Sequence, residues 1–253
     1  MPDVDLALSR AYAKSVGSNA RPGTAAQGPH FVIDPSESRP ISGPTSALTW
    51  PETVRALERS HGDRFEALAD AILGFRDARG MKVVLFTSPH RAEGRTTLVL
   101  ALARSLARRP GRTLIVDGDL GGPMLARSLG IRVTVGLDDV LERDAAVADA
   151  LIEAPDDHLV LLPVAAPASR PREAFASDEW SQLMARLRRE FDIVLIDGGP
   201  IFSGPSASII PRSVDAAVLV HHRTRTTDRA LTRARDALDA AGVPLLGLAE
   251  TFC

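Results

Sequence analysis

Short apolar runs alternate with longer segments of helical periodicity along most of this chain. The runs are rich in Val, Ile and Leu, which is typical of strands buried on both faces. They lie at 83–86, 113–116, 159–162, 193–196, 216–220 and 245–248. Helical patterns separate them at 96–108, 124–129, 137–151, 177–190 and 227–241. This alternation predicts an α/β fold that is doubly wound, with a mainly parallel sheet and helices on both faces.

The N-terminal part of the chain lacks this alternation. Residues 1–48 are rich in Pro, Gly, Ser and Ala and show no sustained period, which favours a flexible N-terminal arm. A helical pattern then covers 51–79, with Pro51 in its first turn and Gly80 directly after it. We therefore predict one folded domain over 49–253 that includes this N-terminal helical segment.

The amino-acid composition argues against several classes of protein. The formal net charge of −2 argues against a nucleic-acid partner. No apolar run approaches the roughly 20 residues that a membrane-spanning helix needs, and the one cysteine, Cys253, suits a reducing compartment. We therefore expect a cytoplasmic protein. Only Lys14 and Lys82 are lysines among 30 basic residues, so an arginine in place of a customary lysine can reflect composition alone.

A degenerate phosphate-binding motif follows the first apolar run. The stretch 87–97 is TSPHRAEGRTT, to be compared with Gly-x4-Gly-Lys-Ser/Thr. Gly94 and Thr96 fit this motif, whereas Pro89 replaces the first glycine and Arg95 replaces the lysine. A glycine at position 94 leaves room for a phosphate at the helix entry, and the threonine hydroxyl suits Mg²⁺. Taken alone, the stretch also fits an ordinary strand–loop–helix turn.

Carboxylates follow two other predicted strands. TLIVDGDL ends in Asp117 and Asp119, and FDIVLIDGGP places Asp197 after four apolar residues. Such acids lie at the edge of a parallel sheet where ligands bind, and their oxygens suit Mg²⁺ or the activation of a water. Each could also be a solvated turn residue. The three elements together, in this order, predict a P-loop nucleotide-binding fold.

These motifs resemble those of the cytoplasmic domain of bacterial tyrosine kinases that work with polysaccharide co-polymerases, within the ParA/MinD-like P-loop ATPases. The resemblance runs from about Phe65 to Thr251. TSPHRAEGRTT is similar to TSxxPGEGKST, TLIVDGDLGGP to a segment with DADLRRP, and FDIVLIDGGP to FDxVIIDTPP. The match covers the whole predicted folded domain.

The resemblance implies ATP and Mg²⁺ as cofactors. The phosphates would meet the loop residues Ala92, Glu93, Gly94, Arg95, Thr96 and Thr97. Thr96, Asp119 and Asp197 would bind the metal, and Asp117 and Arg95 would be catalytic. The implied partner is a membrane-anchored polysaccharide chain-length regulator, which would bring a cytoplasmic protein to the inner membrane, and homo-oligomerisation stays open.

Several residues depart from the family's motifs. They are Arg95 for the lysine, Ala92 for a loop glycine, Gly121 and Gly122 for arginines, and Ser206 for an aspartate. The stretch 65–69 lacks the arginines of the family's oligomer contact. The one tyrosine is Tyr12, in the predicted arm, so we do not expect phosphorylation of a C-terminal tyrosine cluster.

Three functions stay open. The first is an ATP-dependent, tyrosine-kinase-like ATPase of exopolysaccharide or capsule biosynthesis or export, in which Asp117 activates a water or a hydroxyl. The second is a degenerate, non-catalytic nucleotide-binding module that docks on a membrane partner; the altered loop favours it, and the retained acids oppose it. The third is a MinD/ParA-type positioning ATPase, although His90 stands where that class uses an extra lysine.

Overall fold

A computed structural model describes residues 42–202 and 213–251 of the chain. Tyr12, Ser206 and Cys253 lie outside these ranges, as do residues 1–41 of the predicted arm. Within the described residues, no helix is long and apolar enough to cross a lipid bilayer.

The described residues form a seven-stranded sheet in the order β3-β4-β2-β5-β1-β6-β7. The strands are β1 Val83–Ser88, β2 Thr113–Gly118, β3 Ile152–Ala154, β4 Leu159–Leu162, β5 Ile193–Pro200, β6 Ala216–His222 and β7 Leu245–Thr251. Every pairing is parallel except β3 with β4, which is antiparallel. The six apolar runs all form strands, and the predicted doubly wound, mainly parallel sheet is confirmed.

The helices lie between the strands, as the periodicity predicts. They are α1 Glu52–Arg79, α2 Arg95–Ala107, α3 Leu125–Ser128, α4 Leu137–Glu142, α5 Val147–Ala150, α6 Pro171–Ala176, α7 Asp178–Glu190 and α8 Asp228–Ala240. Gly80 ends α1 with a φ of 67°, a left-handed value that glycine adopts without steric cost. The Thr227 hydroxyl caps α8 by accepting a hydrogen bond from the Ala230 amide at 3.2 Å.

Two details differ from the predicted elements. The pattern at 137–151 predicts one helix, but the chain forms the short helices α4 and α5, with Asp144 between them in a left-handed conformation (φ 56°). The three-residue strand β3 was not predicted, because so short an apolar stretch carries no periodicity of its own.

The domain begins before the predicted boundary at residue 49. Thr45 forms a bridge with Glu153 of β3, and the Ser46 amide donates to the Glu153 carbonyl at 2.9 Å. A Cβ on Gly43 would lie 2.1 Å from the Leu151 carbonyl oxygen, so the backbone packs closely here. Residues 42–48, assigned to the arm by their composition, therefore contact the sheet edge, whose unpaired backbone groups accept an added segment.

Helices cover both faces of the sheet. Alternate residues of β1 point to opposite sides: Val83 and Leu85 join the core under α4, α6, α7 and α8, whereas Val84 and Phe86 join the core under α1, α2 and α3. Each fully buried large side chain stabilises the fold by about 2 kcal/mol. Two cores thus hold β1 rigidly in the middle of the sheet, and the loop after β1 begins from a fixed position.

Candidate functional site

The degenerate phosphate loop connects β1 to α2. β1 lies between β5 and β6, so the loop emerges at the carboxyl edge of the sheet beside the ends of β2 and β5. Gly94, the residue before α2, has a φ of 83°. Ala92, which replaces a loop glycine, has a φ of 58°, a left-handed value that costs roughly 1–2 kcal/mol for a residue with a Cβ. The loop therefore keeps a glycine-like backbone without the glycine.

Arg95 is the first residue of α2, and its guanidinium points into the sheet edge. Nη1 donates to the Ser88 hydroxyl at 2.6 Å, and Nη2 lies 3.6 Å from Asp119 Oδ2. Nε lies 3.9 Å from Asp197 Oδ1, and the side chain is only 10% exposed. Arg95 is thus a buried counter-charge for acids from two different strands.

The three predicted acids meet at this edge. Asp117 and Asp197 are register neighbours on the paired strands β2 and β5, and Asp119 follows two residues later. All three are buried. The Thr96 hydroxyl donates to Asp197 Oδ2 at 2.6 Å, which joins the start of α2 to the end of β5. The structure therefore brings together every side chain predicted to bind metal.

Asp117 accepts three backbone hydrogen bonds. Oδ1 accepts from the Asp119 amide at 3.2 Å, and Oδ2 accepts from the amides of Met124 and Leu125 at 3.1 and 2.9 Å. Burial, followed by the nearby Asp197 charge, raises its pKa to about 7, although the backbone bonds act in the opposite direction. Asp117 is therefore held in place, with a protonation state that changes near neutral pH.

Asp197 keeps one oxygen without a partner. Burial raises its pKa to about 6, against the opposing effects of the Arg95 charge and the Thr96 hydrogen bond. Asp197 Oδ1 and Arg95 Nε are both buried, and neither has a hydrogen-bond partner among the residues that the structure describes. Such orphaned polar atoms are costly in a folded protein and call for a ligand or a water.

Glu93 was predicted only as a backbone contact, but its side chain holds the loop together. The carboxylate is buried and accepts from the His90 amide at 3.0 Å and from the Thr226 hydroxyl. The Thr251 hydroxyl donates to the Glu93 carbonyl at 2.8 Å. The segment between β6 and α8 and the end of β7 therefore fix the phosphate loop from the side opposite to the acids, through contacts that no sequence motif marks.

Arg91 is a functional candidate that sequence reasoning missed. Its Nη1 and Nη2 donate to the two carboxylate oxygens of Asp119 at 3.0 and 3.4 Å. In the described part of the chain, no group of three or more His, Cys, Asp or Glu side chains is arranged to hold a metal ion on its own. The acids here instead share their surroundings with Thr96 and with two arginines.

Comparisons with known proteins identify relatives of this chain. No family model matches the chain. Tyrosine-protein kinase CpsD of Streptococcus pneumoniae is 28% identical over 169 residues, which cover 66% of this chain and 74% of that protein. Tyrosine-protein kinase YwqD of Bacillus subtilis is 29% identical over 169 residues, covering 67% and 71%.

Solved structures give the same relationship. The VpsO kinase domain superposes with a TM-score of 0.68 at 26% identity, covering 78% of this chain and 98% of that one. The kinase domain of the Escherichia coli tyrosine kinase ETK gives 0.73 at 18% identity, covering 87% and 84%. MinD of Pyrococcus horikoshii in complex with Mg-ADP gives 0.55 at 25% identity, covering 66% and 68%. The chain is a divergent homologue of the bacterial tyrosine-protein kinases, with the P-loop fold that they share with MinD-like ATPases.

Proposed function

We propose that this chain is an ATP-binding P-loop ATPase of the tyrosine-kinase-like type that acts in exopolysaccharide or capsule biosynthesis or export. One observation carries the proposal: the Thr96 hydroxyl at the start of α2 meets Asp197 at the end of β5, beside an Asp197 oxygen that lacks a partner. The homology to tyrosine-protein kinases supports the class of reaction.

The loop and the start of α2 fit a phosphate group. Amides in the first turn of a helix have no partner within the helix, and the helix dipole favours an anion there. Gly94 provides no side-chain cap for α2, so the first-turn amides stay available to a ligand. We propose that the backbone of Ala92, Glu93, Gly94, Arg95, Thr96 and Thr97 surrounds the phosphates.

The acids fit Mg²⁺. The ion prefers oxygen ligands and keeps several waters and phosphate oxygens in its shell, so few protein ligands are enough. We propose that Thr96, Asp119 and Asp197 hold it, with Asp197 Oδ1 as the oxygen that awaits a partner. When bound, Mg²⁺ with the nucleotide would neutralise the charge that develops on the transferred phosphate.

Two residues would take part in turnover. Asp117 has a pKa of about 7, which suits a general base at neutral pH, and its three backbone bonds leave one lone-pair position for a water or a hydroxyl. Arg95 places a fixed positive charge between Asp119 and Asp197. We propose that it opposes the rise in the pKa of Asp197 and keeps Asp119 and Asp197 close together.

A second function is favoured by the same Arg95 contacts. A cation held by Ser88 and the acids is less free to reach a phosphate than a lysine ammonium on a flexible stem. The chain would then be a non-catalytic nucleotide-binding module that docks on a membrane partner. A MinD/ParA-type positioning ATPase is the third candidate, supported by the fold shared with MinD.

For partner and location, we propose a membrane-anchored polysaccharide chain-length regulator and a cytoplasmic protein held at the inner membrane by that regulator. The homology to tyrosine-protein kinases supports this. We propose no nucleic-acid partner, and a homo-oligomer is to be tested by light scattering of the full chain.

The deciding experiment is calorimetric titration of the full chain with ATP, with and without Mg²⁺, followed by a hydrolysis assay. We expect Mg²⁺-dependent binding that Asp197→Asn weakens about tenfold or more, because a charged oxygen ligand is lost. Arg59→Ala is the matched control, since Arg59 is an exposed residue of α1 that pairs with Glu52.

The outcomes separate the candidates. Absence of ATP binding by the wild type would contradict a nucleotide function altogether. Hydrolysis that Asp117→Asn abolishes would support the enzyme. Binding without hydrolysis, in the wild type and in Arg95→Lys alike, would support the regulatory module.

A further inference from the structure

Two arginines share Asp119, and their surroundings differ sharply. Arg91 reaches Asp119 with both terminal nitrogens and its side chain is 50% exposed, whereas the Arg95 side chain is 10% exposed. One guanidinium faces solvent at the mouth of the phosphate site, and the other lies beneath it. We therefore expect the two arginines to have different roles.

Arg95 is fixed by its position. Its guanidinium donates to the Ser88 hydroxyl and lies close to both Asp119 and Asp197. Withdrawing it toward a ligand would leave Asp197 without its counter-charge and Asp119 with Arg91 alone, and a buried charge that loses its partner is strongly destabilising. Arg95 is thus poorly placed to follow an incoming phosphate.

The Arg91 side chain is half exposed, and the lack of a side chain at Gly122 leaves room for its guanidinium. A Cβ on Gly122 would lie 2.5 Å from Arg91 Nη1, so the guanidinium occupies room that any side chain at position 122 would fill. The guanidinium at this loop is therefore supplied from the phosphate loop on the opposite side.

We propose that Arg91, and not Arg95, is the cation that contacts the terminal phosphate of the nucleotide, and that Arg95 remains the internal counter-charge of the acids. A guanidinium pairs with a carboxylate or a phosphate through the same planar fork, so Arg91 can exchange one for the other. The exchange releases Asp119 at the moment when Mg²⁺ arrives with the nucleotide. This inference rests on the proposed nucleotide function and identifies the residue that contacts the terminal phosphate.

The test compares Arg91→Ala, Arg95→Ala and the control Arg59→Ala by calorimetry with Mg-ATP and Mg-ADP and by thermal unfolding without nucleotide. We expect Arg91→Ala to bind ATP about tenfold or more weakly, because a charge-assisted bond is lost, and to lose less affinity for ADP. Its melting temperature should change less than that of Arg95→Ala, since half of the Arg91 side chain is exposed and Asp119 keeps Arg95 as a neighbouring cation. Arg95→Ala should instead lower the melting temperature.

Two further variants keep the test decisive. Gly122→Ala displaces the Arg91 guanidinium from Asp119 but keeps the arginine, so it should retain ATP affinity where Arg91→Ala loses it. Arg91→Lys keeps the charge without the fork and should recover part of the affinity. Wild-type ATP affinity in Arg91→Ala, or an equal loss for ATP and ADP, would overturn the inference alone. Absence of binding by the wild type would instead contradict the proposed function, before any variant is compared.

Discussion

Two of the regions in which arginines meet acids have opposite electrostatic results. The first region, the site cluster, contains Arg91, Arg95, Asp117, Asp119 and Asp197 at the sheet edge. The second, the α1–α2 network, joins Arg104, Arg108 and Arg109 of α2 and its C-terminus to Glu58, Glu66 and Asp70 of α1. Comparing the two regions distinguishes charges that the fold pairs on its own from charges that the fold leaves incompletely paired.

In the α1–α2 network the charges pair closely. Glu66 meets Arg108 and Arg109 at 2.5 and 2.6 Å, and Glu58 meets Arg104 and Arg108 at 2.9 and 2.6 Å. Burial opposes ionisation of both glutamates, but the hydrogen bonds and charges of the arginines outweigh it and lower each pKa. Here the ionised state is the stable one, without any ligand.

In the site cluster, burial outweighs the effects that favour ionised carboxylates. Burial raises the pKa of Asp117 to about 7 and that of Asp197 to about 6. Arg95 lies nearby, yet its Nε and Asp197 Oδ1 have no hydrogen-bond partner within the described residues. Acids that are buried but incompletely compensated are typical of functional sites. The comparison supports our proposal that a cation or a phosphate completes this cluster.

The largest expected effect is on the pH dependence of stability. The pKa values of Asp117 and Asp197 are raised above the unfolded value of about 3.9, so the folded protein binds more protons between about pH 4 and pH 7. Their contribution is fully present below the unfolded pKa and is lost as the pH rises through the folded values. The free energy of unfolding should therefore fall as the pH rises through this window.

The measurement is urea unfolding at pH 5 to 8 without Mg²⁺ or nucleotide. Glu58 and Glu66 of the α1–α2 network have the opposite sign: their pKa values are lowered, so their contribution is lost only as the pH falls below the unfolded pKa. Asp197→Asn should flatten the profile. A profile that is flat or rises in the wild type would contradict the contrast between the two regions.

The next effect is the stability gained by removing one site charge. At pH 8 without ligand, Asp197→Asn should raise the free energy of unfolding by about 1–2 kcal/mol, because a buried and incompletely paired charge is removed. The Thr96 hydroxyl can still donate to the amide oxygen, and Arg95 keeps Asp119. Urea unfolding at pH 8 measures the change. A loss of stability would mean that the cluster is already complete without a ligand.

Much of this site could be predicted from the sequence, because acids at the carboxyl ends of parallel strands must lie at one edge. Asp117 and Asp197 are brought together by register alone. The apolar runs likewise predict the strands, since short continuous runs of Val, Ile and Leu are typical of strands buried on both faces. The roles of these residues stay predictions.

The cationic side of the site could not be predicted. Arg91 and Asp119 are 28 residues apart, and their contact depends on how closely two loops approach across Gly122. The left-handed conformation of Ala92 could not be predicted from the sequence for another reason. A positive φ is expected at glycine, and alanine does not indicate one. Long flexible side chains and strained loop residues are positioned by tertiary contacts rather than by local pattern.

The smallest expected effect concerns the α1–α2 network. Glu66→Gln should lower the free energy of unfolding at pH 7 by only about 0.5–1 kcal/mol, because partly exposed ion pairs contribute little even when they are well formed. Urea unfolding measures it against Glu173→Gln, whose carboxylate is 71% exposed and 3.3 Å from Arg170. The expected change in the free energy of unfolding is opposite in sign to that of Asp197→Asn. Both variants nevertheless replace an acid near an arginine by its amide. A gain of stability in Glu66→Gln would remove the distinction, since both regions would then contain charges that the fold alone does not compensate.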